Sequence, residues 1–143
     1  ETHGGRVVVR GPDSGVEAAL ERWYRREARR HVEAAVEREG QRLGLRPTAL
    51  TIRDQRTRWG SCSSRGTLSF SWRLVLAPPA VLDYVVVHEL CHLREPNHAP
   101  AFWCLLDEAL PGWPASAGWL REHGRELHAF VPGGAVARGP LDR

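Results

Sequence analysis

The sequence predicts an α+β fold: a long N-terminal helix, a small antiparallel sheet or hairpin, a central apolar helix and further helices toward the C-terminus. Three observations predict it. Apolar residues recur at helical spacing over residues 15–43, short alternating segments separated by turn residues fill residues 49–72, and an apolar stretch over residues 79–94 opens on two prolines and closes on a third. A chain of 143 residues suits one domain with one core. That domain is expected over residues 1–131, with a Gly-, Ala- and Pro-rich tail over 132–143 expected to be disordered.

Residues 6–10 (Arg-Val-Val-Val-Arg) read as a short strand. In the first helix Val16, Leu20, Trp23, Tyr24, Val32, Val36 and Leu43 share a face, and Gly44 and Pro47 end it. Its polar side carries Arg22, Arg25, Arg26, Arg29 and Arg30, interleaved with acids, as in Glu21 four residues before Arg25. Interleaving favours a solvated face over a nucleic-acid surface. Residues 49–54 and 67–72 alternate as strands, and Trp59-Gly60-Ser61-Cys62 and Gly66 supply turns between them. Pro78 and Pro79 open the central helix, Asp83 suits its positive end, and Pro96 stops it. Residues 99–110 and 115–129 read as two last helices, separated by Pro111-Gly112.

The central helix carries His88-Glu89-Leu90-Cys91-His92. Residues four apart share a helix face, so His88 and His92 can ligate one ion. Glu89 is rotated about 100° from His88 and can take a proton from water beside the metal. Seven histidines and twelve glutamates make a chance match about 3%. A third ligand is His98, provided that the helix breaks at Glu95-Pro96-Asn97, with Glu95 or Glu108 as rivals. Metzincins share this histidine spacing but need a glycine in the turn and a later methionine. Glu95 occupies the turn here and the chain has no methionine, so that class is excluded. Imidazole ligands on a helix suit zinc, while nickel and iron remain alternatives. Tyr84, one turn before His88, is a candidate for stabilising the oxyanion that develops in hydrolysis. Arg56, Arg58, His123 and His128 are others that the sequence does not rank. Trp59 and Trp103 read as packing around the site.

The blocks Arg58-Trp59-Gly60-Ser61-Cys62, Leu82 through Leu93, Asn97-His98 and Phe102-Trp103 together resemble the YgjP-like family of bacterial metallopeptidases, relatives of the SprT and WLM metalloprotease groups. The resemblance spans residues 15–130. It implies a zincin-like domain with His88, His92 and His98 as metal ligands and Glu89 as general base. It also implies further β-rich sequence before the first long helix, so that the sequence beginning at Glu1 is expected to be a fragment. Ala99 stands where the family often has Ser, which removes a small polar contact near the site. A nucleotide pyrophosphatase activity assigned to some members leaves UTP as an alternative substrate to polypeptide.

No run of 18 apolar residues is present, so no membrane-spanning helix is expected. Three cysteines, an odd number, argue for a reducing, cytoplasmic setting and for buried free thiols. Residues 1–73 carry 15 Arg and 9 acids and the remainder 5 Arg and 8 acids. One face should therefore attract anions. Three functions are expected: a zinc peptidase on extended polypeptide; a metal-dependent nucleoside triphosphate pyrophosphatase, which the resemblance implies; and a non-catalytic arginine-rich nucleic-acid-binding module with structural zinc. The absence of a Gly-rich phosphate loop counts against a dedicated NTPase. Oligomeric state is not legible.

Overall fold

A computed structural model describes residues 2–3, 6–7 and 13–133. The elements run β1 (Thr2–His3), β2 (Arg6–Val7), α1 (Asp13–Leu43), β3 (Ala49–Arg53), β4 (Gly60–Cys62), β5 (Thr67–Ser71), a 3-10 helix (Trp72–Leu76), α2 (Pro79–His92), α3 (Pro100–Ala109) and α4 (Trp113–Ala129). The expected strand over 6–10 is seen as β2, paired antiparallel with β1. Residues 8–10 and the tail from 134 lie outside the described residues.

α1 ends where Gly44 takes a positive φ of 70°, the left-handed conformation that terminates helices at low cost. The Leu45 amide then donates back to the Gly40 carbonyl (3.0 Å). The exposed face of α1 is held by ion pairs along the helix, Arg25–Glu21, Arg29–Glu33 and Arg30–Glu27, which is the solvated arrangement that its interleaved charges predict.

The sheet departs from expectation. The segments 49–53 and 67–71 pair in parallel, Ala49 opposite Thr67 through Arg53 opposite Ser71. The antiparallel partner of β5 is the short β4, with Gly60 opposite Phe70 and Cys62 opposite Leu68. The order is β3-β5-β4, because residues 54–59 carry the chain past the place that β5 later fills. The tight β4–β5 hairpin turns at Gly66 (φ 87°), which is pinned by the Thr48 amide donating to the Gly66 carbonyl (2.9 Å). As the central strand, β5 is covered on both faces, with Leu68, Ser69, Phe70 and Ser71 all buried. Its alternation therefore does not mark a solvent face. The buried Ser69 and Ser71 hydroxyls are satisfied by Thr51 Oγ1 (2.7 Å) and by the Arg73 amide (3.2 Å).

α2 is buried on most sides. Val85, Val86 and Leu90 pack with Val32, Leu68 and Phe70 from α1 and β5, while Val87 and Cys91 pack with Phe102 and Leu106 of α3. A third cluster joins Trp72, Leu76 and Val81 to Leu127 of α4. A helix apolar all round belongs in a core, and its polar residues are then informative. Among the described residues no helix is long and apolar enough to cross a membrane. The cysteines are free but not uniformly buried: Cys91 is buried, Cys62 half-buried and Cys104 exposed. The last two correct the expectation of buried thiols, because Cys104 lies on the outer face of α3 and Cys62 lines a cleft.

Candidate metal centre

Beyond His92 the chain makes one tight turn. The Glu95 amide donates to the Cys91 carbonyl (2.9 Å), and Pro96, which has no amide hydrogen, cannot extend the helix. That turn brings His98 back over α2. The ring nitrogens of His88, His92 and His98 then offer ligand atoms all within 4.8 Å of one another. His92 Nε2 and His98 Nε2 are 3.0 Å apart. Two imidazole nitrogens sharing a tetrahedral zinc at about 2.0–2.1 Å lie roughly 3.3 Å from each other, so the donor set fits one such ion.

The surroundings fix the tautomers. His92 Nδ1 lies 3.0 Å from the Glu95 carbonyl oxygen. A carbonyl only accepts, so Nδ1 carries the proton and Nε2 presents its lone pair to the cluster. Glu95 thus meets the group through its backbone carbonyl. Neither its carboxylate nor that of Glu108 joins the group. Burial, reinforced by His92 and His88, lowers the His98 pKa from its ordinary value and favours the neutral ring that a metal requires. Phe102 stacks on His92 (centroids 4.3 Å) and Trp103 on His98 (5.3 Å), and the Trp103 indole N–H donates to the His98 carbonyl (3.2 Å). Trp103 packs here as expected, although 36% of it stays exposed.

Glu89 is 5% exposed, and its Oε2 lies 3.2 Å from His88 Nδ1. Strand β4 covers it. A Cβ added at Gly60 would sit 3.0 Å from Glu89 Cγ, 3.2 Å from Glu89 Oε2 and 3.1 Å from Val85 Cγ1. The turn glycine visible in the sequence is therefore a matter of space over the carboxylate, a role that spacing alone does not reveal.

These groups line a cleft of about 490 Å³ with Arg58, Tyr84, Pro96 and Leu120 at its margins. Tyr84 lies edge-on to His88 (5.9 Å) and stacks with Trp113 (6.3 Å). Burial, then the nearby Glu89 charge, raises its pKa from the ordinary phenol value against a smaller opposing effect of Arg121. The phenol therefore stays protonated and able to donate. The other oxyanion candidates separate. Arg56 donates to the His128 carbonyl (2.9 Å) and pairs with Asp54 (3.2 Å), and His123 faces Glu126 (3.3 Å). His128 stacks on Trp59 (4.1 Å), and burial followed by Arg73 and Arg56 lowers its pKa. None of the three is among the residues lining the cleft, whereas Arg58 is.

The fold is similar to the crystal structure of the metallopeptidase zymogen of Pyrococcus abyssi abylysin, with a TM-score of 0.56 and 23% identity over 66% of this chain and 93% of that one. At that identity the likeness is one of fold. No curated protein matches the chain. Residues 2–123 match the family described as YgjP-like, metallopeptidase domain, and they hold every residue of the cleft. The chain belongs to the YgjP-like metallopeptidase family.

Proposed function

We propose that the protein is a zinc-dependent peptidase in which His88, His92 and His98 hold one ion and Glu89 is the general base. The observation that carries this reading is the convergence of three ring nitrogens beside a buried carboxylate in one open cleft. Bound there, zinc would supply Lewis acidity, polarising a carbonyl and making water more acidic. Glu89 accepts the proton as water adds to the scissile carbonyl carbon, and delivers it to the nitrogen as the carbon–nitrogen bond breaks. The Tyr84 hydroxyl, held protonated, donates to the developing oxyanion. β4 is an edge strand beside the cleft, and its unpaired backbone groups suit an extended polypeptide added as a further strand.

Metal analysis after dialysis, with casein and UTP as parallel substrates, tests this. The expected result is one zinc per chain, casein cleavage lost on chelation and restored by zinc, and no hydrolysis of UTP. His98→Ala should fail to retain zinc on dialysis. Full stoichiometry in that variant would remove His98 from the ligand set, and UTP hydrolysis without casein cleavage would replace the peptidase reading.

Gly60→Ala offers a separate check on Glu89. The added methyl crowds Glu89 and Val85 so that they must give by a few tenths of an ångström, and since a 1 Å misplacement can cost about 10²-fold, a loss of up to about tenfold follows. A fall in kcat at unchanged zinc content is expected. Wild-type kcat in this variant would show that the carboxylate position is not limiting.

A further inference from the structure

The cleft has two ends of unlike chemistry. Past His92 and Pro96 it continues into a recess of about 280 Å³ between the β4–β5 turn and the end of α2, lined by Ser63, Ser64, Gly66 and Leu93. Among the described residues, no Arg, Asp or Glu side chain lines that recess. At the other end stand Arg58, Trp59 and Leu120. Among the described residues, the charged side chains lining the main cleft, its histidines aside, are Arg58 and Glu89. Glu89 is buried and held by His88. Arg58 is exposed, and no carboxylate among the described residues lies within ion-pairing distance of it. Arg56 and Arg73 are committed elsewhere, Arg56 to Asp54 and the His128 carbonyl and Arg73 to Asp54.

We infer that Arg58 is a specificity-determining residue that binds a carboxylate on the substrate, so that this peptidase prefers an anionic group on the Arg58 side of the scissile bond and an uncharged side chain on the Ser63–Leu93 side. The inference rests on the peptidase reading above. A guanidinium presents a planar fork of donors that matches a carboxylate bidentately. At the wall of a cleft, it is less fully screened than a charge on an open surface. The carboxylate has two sources, an Asp or Glu side chain within the polypeptide or the C-terminal carboxylate of a short peptide.

Paired peptides separate these. One pair differs only by Asp against Asn at each position flanking the scissile bond, with both ends blocked. The other pair is neutral in sequence and differs only by a free acid against an amide at the C-terminus. Wild-type protein is expected to show a kcat/KM ratio of about tenfold in favour of the anion in one pair, at positions on one side only. Arg58→Gln should bring that ratio to about one, and Arg58→Glu should turn the preference toward Lys over Asp at the same position. Zinc content and melting temperature of each variant report on folding. Turnover of all peptides without any anion preference, or a preference that survives Arg58→Glu, would overturn this inference and leave the peptidase reading standing. Failure of wild-type protein to cleave any peptide while hydrolysing UTP would overturn both.

Discussion

Glu89→Gln is expected to lower peptide turnover by about 10²–10⁴-fold while leaving zinc content at the wild-type level. The magnitude is that of losing a positioned general base. The substitution is nearly isosteric, which matters at this position. Glu89 is 5% exposed and lies under Gly60, so a longer or branched replacement would disturb β4 as well as the chemistry. Gln keeps the shape and an oxygen able to accept from His88 Nδ1, 3.2 Å away. It removes the negative charge and the capacity to bind a proton. His92, oriented by the Glu95 carbonyl, and His98 are untouched. Two measurements on one sample decide the matter: zinc per chain and kcat on casein or a model peptide. A joint fall in both would make Glu89 a ligand. Retained turnover at full zinc would place the proton acceptor elsewhere in the cleft.

The candidate centre was legible in the sequence because its parts are local. His88, Glu89 and His92 sit on one helical turn, and His98 follows after a break that Pro96 announces. A 3.6-residue period and a proline are enough to place such groups together without any knowledge of the tertiary fold. The helices were legible for the same reason, each within two residues of its observed ends. Strand direction was not. Whether β3 and β5 run parallel depends on where residues 54–59 cross, and that crossing is set by Asp54 and Arg56 reaching Arg73 and the end of α4, contacts between residues far apart in sequence. Gly60 looked like an ordinary turn residue, and its packing over Glu89 exists only once β4 lies against α2. Arg73 was hidden by its type, since a charged residue between Trp72 and Leu74 reads as a surface position in a strand or loop. The structure instead buries it in the 3-10 helix.

That buried arginine leads to the largest stability effect. Asp54→Ala is expected to destabilise the protein by about 2 kcal/mol, below the roughly 3–5 kcal/mol for breaking a fully buried ion pair, because Arg73 is buried while the Asp54 side chain is 21% exposed. Arg73 is 3% exposed. Its Nε donates to Asp54 (2.9 Å), its Nη1 donates to the Leu127 carbonyl (2.9 Å) and to the Phe130 carbonyl, and its guanidinium lies over the Trp72 ring (4.4 Å). One side chain therefore ties β3, the 3-10 helix and the C-terminal end of α4 together. α4 in turn carries Leu120 at the cleft and His128 against Trp59. Without Asp54 the guanidinium keeps its carbonyl acceptors but no neutralising charge. Burial opposes ionisation of Asp54, yet hydrogen bonding and charge from Arg73, aided by Arg56, hold its pKa below the ordinary 3.8. Its contribution is therefore complete above the unfolded-state value and disappears as the pH falls through the lower folded-state value. Urea unfolding at neutral pH should show the loss, and the gap between wild type and variant should close as the pH is taken below about 3.8. Arg73→Met should also destabilise, because it strands the two carbonyls and an acid. The double variant should lose clearly less than the sum of the singles, since each single loss includes the cost of a partner left unpaired. Additive losses, or a gap that stays constant into acid, would mean that Asp54 and Arg73 stabilise the fold independently of each other.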